Sequence, residues 1–123
     1  MTRNQKNVRA FYTKLIRSKH TKFPSRGEKL HAPNRQGVYV ICDPRGAVVH
    51  VGRTPKAKHG IAQRLQNHMA GASSFTEKYL KGHGTRLRGK YTFQCLVVKN
   101  KKLRAYLEAY AIGRLCPAHI GLG

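Results

Sequence analysis

Two short apolar runs, set on either side of a tight turn, constrain this chain more than any other feature. Val38-Tyr39-Val40-Ile41-Cys42 and Ala47-Val48-Val49-His50-Val51 are rich in β-branched side chains, which suit a pleated surface. Between them stands Asp43-Pro44-Arg45-Gly46. Asp bonds its own backbone in such turns, Pro presets φ, and Gly supplies the positive φ that other residues resist. A β-hairpin follows, and the rest of the chain has to pack around it.

The flanking periodicity is helical. Val8, Phe11, Tyr12, Leu15 and Ile16 recur on one face of residues 4 to 19, ringed by Arg and Lys, and predict a basic amphipathic helix. Residues 19 to 36 are polar and hold Pro24, Gly27 and Pro33, so they read as a linker. Ile61, Leu65, His68 and Met69 share the face of a helix ending near Gly71. Ser74-Phe75-Thr76-Glu77 has capping-box spacing and predicts a short helix carrying Tyr79 and Leu80. A glycine-rich basic loop spans residues 81 to 90, Tyr91 to Val98 reads as a third strand, and Leu103 to Leu115 as a last helix stopped by Pro117. The expected layout is α+β, around a small sheet.

Charge narrows the partner. The 123 residues carry 25 Lys and Arg against 4 Asp and Glu, a formal charge of +21. A compact fold so unbalanced repels itself, and a polyanion relieves the repulsion. Nucleic acid is the natural one, because each neutralised phosphate releases counterions. No apolar run approaches the roughly 20 residues of a spanning helix, and the charged N-terminal residues Arg3 and Lys6 do not read as a signal sequence. The expectation is a cytoplasmic protein facing nucleic acid, with no membrane. Cys42, Cys95 and Cys116 sit in or beside apolar runs and read as buried reduced thiols. A metal site built on Cys116 and His119 with the other two thiols is the weaker alternative, since no paired C-x-x-C exists.

Scarcity of acid singles out one carboxylate. Glu28 lies in the linker, Asp43 in the turn, and Glu77 has a capping role, which leaves Glu108 inside the apolar stretch Ala105-Tyr106-Leu107-Glu108-Ala109-Tyr110-Ala111. Three readings of Glu108 are open: a solvent-facing residue, a partner of Arg104 or Lys101 at helical spacing, or the ligand of a hard cation. Arg64 and His68, at i and i+4, project from one helix face, as the border of any amphipathic helix also allows.

The order of these pieces resembles the GIY-YIG nuclease superfamily. Gly37-Val38-Tyr39 and His50-Val51-Gly52 stand where its paired signature does; the Arg64 and His68 helix follows, then Ser73-Ser74-Phe75, then Glu108 and Pro117. The resemblance covers roughly residues 37 to 119, about two thirds of the chain. It implies a small three-stranded antiparallel sheet flanked by helices over residues 36–123, preceded by a basic helix and linker over residues 1–35. It implies hydrolysis of nucleic acid, DNA ahead of RNA, with one Mg2+ or Mn2+ held by Glu108. Tyr39 would be the general base, Arg64 the phosphate-stabilising cation and His68 a proton relay, with Gly37, Gly52, Ser74 and His119 in support. Two positions depart from the family pattern: His50 replaces the second motif tyrosine, where as a catalytic residue it would donate to a phosphate or act as a base, and His119 replaces an Asn. Tyrosine activation would draw on nearby cations (Arg64, the metal and protonated histidines), and His68 would take the proton through a hydrogen bond. Arg53, Lys58, Arg86, Arg88 and Lys90 are the expected phosphate contacts. The competing class is a non-catalytic basic nucleic-acid-binding protein, which has no need of the Tyr39, Arg64 and Glu108 set.

Overall fold

The structure, a computed structural model, describes residues 1–55 and 59–121. Helix α1 (Arg3–Arg17) begins at a capping box in which Thr2 and Gln5 satisfy each other's backbone amides. It buries Val8, Tyr12 and Leu15, while Ile16, expected on that face, stays exposed. The hairpin forms as β2 (Gly37–Cys42) and β3 (Val48–Arg53). Its turn works as the residue types require: the Asp43 carboxylate accepts from the Arg45 and Ala47 amides, and Gly46 takes φ +90°.

The sheet has four strands rather than three. Thr21–Lys22, inside the segment expected to be linker, forms a two-residue strand β1 on the outer edge of β4 (Thr92–Val97), giving the order β1-β4-β2-β3, with every described pairing antiparallel. Two residues are too short to show an alternating pattern, and the anchor is the next one, Phe23, which is fully buried and packs edge-on against Phe93 at 5.2 Å. β2 lies between β4 and β3 and is buried along its whole length.

Alternation along β2 divides the core in two. Tyr39 and Ile41 face helices α2 (Ile61–Met69) and α3 (Ser74–Lys78) together with Phe23, Phe75, Leu80 and Leu87. Val38, Val40 and Cys42 face α1 and α4 (Lys101–Leu115) through Tyr12, Leu15, Leu107 and Ala111. The sheet is therefore sandwiched, and β3 is its second edge.

Caps set the helices that matter for function. α2 starts at Gly60 with no side-chain cap; its first amides are taken by the linker carbonyls of Arg35 and Pro33. A Cβ at Gly60 would overlap the Arg35 backbone, so this close approach requires glycine. α3 is capped one residue earlier than its sequence spacing suggests: Ser73, not Ser74, accepts from the Thr76 amide. The glycine-rich loop is anchored too, through a 3-10 turn at Gly84–Leu87 that buries Leu87. α4 begins at the Asn100 cap and ends where Cys116 turns left-handed, at φ 46°, just before Pro117. Cys42 is buried and Cys95 half-buried, but Cys116 is exposed, and all three are free thiols. The thiol metal site has no counterpart among the described residues, where no group of three His, Cys, Asp or Glu is placed to hold an ion. No helix there is long and apolar enough to cross a membrane.

Candidate active site along the β3 edge

Register brings the first pieces together. Tyr39 pairs with Gly52 across the hairpin, and a Cβ at position 52 would overlap the tyrosine hydroxyl and ring. Gly37 is equally confined, since a Cβ there would run into the Leu96 carbonyl and lie 2.7 Å from Ile61 Cδ1. Both glycines keep Tyr39 seated beneath the β3 edge, where it has no exposed surface.

From one face of the sheet, α2 contributes Arg64 and His68, one turn apart. The His68 ring is 1% exposed. Its Nε2 lies 2.7 Å from the Tyr39 hydroxyl and its Nδ1 2.7 Å from Ser73 Oγ. Ser73 donates to Thr76 Oγ1 at 3.0 Å, and Thr76 donates to the His68 carbonyl at 2.6 Å. Arg64 has a buried Nε without a hydrogen-bond partner. Among the described residues the one ion pair lies elsewhere, between Arg53 Nη1 and Glu108 Oε1 at 3.4 Å.

From the other face, α4 brings Glu108 up to the same edge. The open readings resolve to neither helical neighbour. Arg104 is buried and donates to the carbonyls of Thr54, Val98 and Lys99, while Glu108 reaches across to Arg53 at the end of β3. Past α4 the chain runs back along β3, the Ala118 and His119 amides donating to the Val48 and Val49 carbonyls. That return sets His119 Nδ1 3.1 Å from His50 Nδ1, and His50 stacks on Phe75 at 4.6 Å.

These groups line one cleft of about 330 Å³, whose walls include His50, Arg53, Arg64, His68, Glu108 and His119. Tyr39 lies behind the wall, under Gly52, which does line it. Ser74 is exposed at the rim, while its neighbour Ser73 makes the contacts. Arg86, Arg88 and Lys90 are not among the lining residues, and Lys58 falls outside the described residues. Ser73 and Phe75, from the Ser73-Ser74-Phe75 stretch, take the roles expected of Ser74, and Thr76 is the contributor that residue types alone do not reveal; the Ser73 to Thr76 spacing, an N-cap signature, is the signal for it.

Electrostatics correct one expectation. Burial, reinforced by the other histidines and Arg64, holds His50 down to about 2, and burial with Arg64 and His119 holds His68 down to about 3. His119 is lowered as well, by burial and then Lys78. The histidines of the cleft are therefore neutral in the free protein and supply no cations. Burial also pushes Tyr39 up to about 12, against the opposing pull of Arg64. Glu108 is raised by burial, with Arg53 and Arg64 opposing.

Glu108 is the carboxylate of the cleft, partly exposed, and its contact with Arg53 is longer than the roughly 2.7–2.9 Å of a tight charge-assisted bond. Among the described residues no three His, Cys, Asp or Glu side chains are grouped to hold an ion. Magnesium, which keeps most of its waters and takes one or two carboxylates plus substrate phosphates, fits a lone, loosely paired glutamate.

Compared by sequence, the chain matches no protein-family model and no curated protein. Compared by structure, it is similar to the crystal structure of the GIY-YIG N-terminal endonuclease domain of UvrC from Thermotoga maritima, bound to magnesium as its catalytic divalent cation. The two share 20% identity at a TM-score of 0.51, over 98% of this chain and 100% of that one. With its antiparallel sheet flanked by helices and a basic helix in front, the chain has a GIY-YIG-like fold.

Proposed function

We propose that this chain is a nuclease that hydrolyses phosphodiester bonds in DNA, or in RNA, using one divalent cation, magnesium or manganese, in the cytoplasm. The observation that carries this reading is the convergence of Arg64, His68, His50 and Glu108 on one cleft, with the Tyr39 hydroxyl bonded to His68 behind it. A charge of +21 supplies the affinity for a polyanion, and the similar domain from Thermotoga maritima is a magnesium-bound endonuclease. Residues 36–123 hold all of the proposed chemistry; residues 1–35 add charge and packing.

Glu108 holds the cation, which when bound supplies charge neutralisation at a phosphate oxygen. Arg64 has no carboxylate partner among the described residues, so its guanidinium is available to the attacked phosphoryl group, where charge builds up. Tyr39 is the base and His68 receives its proton. In the free protein that proton rests on Tyr39, because burial raises the phenol and lowers the imidazole. An anionic phosphate in the cleft favours imidazolium at His68 but opposes phenolate at Tyr39, for which the positive charge of Arg64, and of a cation held by Glu108, would have to compensate. Gly52 matters here: it lines the cleft, and with no side chain at that point it leaves the Tyr39 hydroxyl room against the β3 edge. Neutral His50 presents its ring to a phosphate oxygen, and Arg53 is released from Glu108 to a flanking phosphate.

Incubation with plasmid, single-stranded DNA and RNA, in magnesium or manganese against chelator, tests the assignment. Cation-dependent cleavage is expected. Tight binding with no cleavage of any substrate would instead identify a non-catalytic binder on the same fold.

A further inference from the structure

We propose that Ser73 is a positioning residue: with Thr76 it fixes the tautomer of His68, so that the Nε2 lone pair faces the Tyr39 hydroxyl. Protons can be assigned one by one along a chain of four contacts. At one end, Thr76 Oγ1 lies 2.6 Å from the His68 carbonyl oxygen. A carbonyl has no proton to give, so the hydroxyl of Thr76 donates there, and its single proton is used. Ser73 Oγ, 3.0 Å from Thr76 Oγ1, must then be the donor of that pair. Ser73 has now spent its own proton, and it accepts both from the Thr76 amide at 3.1 Å and from the ring nitrogen 2.7 Å away. That nitrogen, His68 Nδ1, therefore carries a hydrogen.

Burial keeps the His68 ring uncharged, so a hydrogen on Nδ1 leaves Nε2 bare. The bare nitrogen is 2.7 Å from the Tyr39 hydroxyl, which donates to it. The opposite direction fails at both ends. Two oxygen acceptors would face each other at 2.6 Å between Thr76 and the His68 carbonyl, and the hydroxyl proton of a tyrosine with no exposed surface would be turned away from His68. One carbonyl, belonging to His68 itself, thus sets the sense of every bond out to Tyr39.

The consequence rests on the nuclease reading; the tautomer does not. When Tyr39 acts, its O–H bond breaks and an Nε2–H bond forms, leaving a phenolate and an imidazolium. The Nδ1–H stays bonded to Ser73 throughout, so the ring is ready to accept without turning. With the other tautomer His68 would already hold a hydrogen on Nε2 and have no lone pair to offer.

Long-range proton–nitrogen correlation spectra of the 15N-labelled full chain at neutral pH read the tautomer directly. The expected result is a protonated Nδ1 and a bare Nε2 at His68, which a protonated Nε2 would overturn whether or not the protein cleaves anything. Ser73→Ala should shift the ring toward the Nε2–H form or a mixture of the two. If the wild type cleaves, Ser73→Ala should lower kcat about tenfold or more with little change in KM, and Ser73→Thr, which keeps a hydroxyl and a cap, should restore both tautomer and rate. An unchanged tautomer in folded Ser73→Ala would assign Ser73 to helix capping alone. Should Ser73→Ala fail to fold, the wild-type spectrum still decides.

Discussion

His50 Nδ1 and His119 Nδ1 face each other at 3.1 Å, although they lie 69 residues apart in the chain. These are the two positions at which the chain departs from the motif pattern it resembles, and the return of the C-terminal segment along β3 makes them partners. One departure accommodates the other: a single hydrogen serves both nitrogens, provided that one of the two rings keeps its Nδ1 bare. Protonating the ring that accepts would set two donors against each other.

Acid should therefore unfold this protein early. His50 at about 2 and His68 at about 3 both lie below their unfolded value of 6.5, and His119 is lowered too. The unfolded chain binds more protons between those limits, so stability is full above about pH 6.5 and falls as pH drops through the window. The slope is at most about 1.4 kcal/mol per pH unit for each histidine. Thermal melts between pH 7 and 4 should show Tm falling, and His50→Phe should flatten the fall. A Tm independent of pH over that range would contradict the burial of these rings.

Arg64 should separate chemistry from stability. Its Nε is buried and unpartnered, so an apolar residue of similar length removes an unsatisfied group along with the charge. Arg64→Met should leave Tm unchanged or slightly raised while cutting cleavage by about a hundredfold or more. Binding to a short duplex should stay within a few-fold of wild type. A large loss of Tm with an equal loss of binding would place Arg64 in the scaffold instead.

Gly52→Ala should disable the site by steric means. The new Cβ overlaps the Tyr39 hydroxyl and ring, so either β3 moves or Tyr39 does. A destabilisation of about 1–3 kcal/mol is expected from such overpacking, together with loss of the Tyr39 to His68 hydrogen bond. Denaturant titration gives the first and the His68 ring signals the second. Wild-type values for both would show that the β3 edge yields freely.

Arg86, Arg88 and Lys90 lie off the cleft, on a loop anchored by Leu87, so they should act on affinity alone. Replacing all three with Ala should weaken binding across sequences and reduce the log–log salt slope by up to about three, roughly one for each phosphate no longer neutralised. The rate at saturating substrate should hold. A fall in that rate with an unchanged slope would move these residues into the catalytic step.

Local features were readable in the sequence and distant ones were not. The Asp43 to Gly46 turn declares the hairpin, and the i, i+4 spacing of Arg64 and His68 declares their shared face, because both depend on neighbours in the chain. Glu108 emerged because acids are so few. Its partner Arg53, the meeting of His50 with His119, and the linker carbonyls that cap α2 all join residues far apart, which no local pattern records. β1 escaped for a different reason: a two-residue strand has no period, and its stability comes from Phe23 in the core. Charge states escaped as well. The sequence has seven histidines but does not show that burial holds three of them neutral.

Whether Glu108 serves a cation in a phosphodiester-cleaving site is decided by a matched pair of assays on wild type and Glu108→Gln. Cleavage of labelled DNA and RNA is followed against magnesium and manganese concentration, with binding measured in chelator on the same substrates. Wild type should cut only with the cation, and Glu108→Gln should lose about a hundredfold or more of that activity while its binding in chelator is kept or strengthened, since one negative charge is gone. Cation-dependent cutting by Glu108→Gln at the wild-type rate would show that the Glu108 carboxylate does not hold the cation.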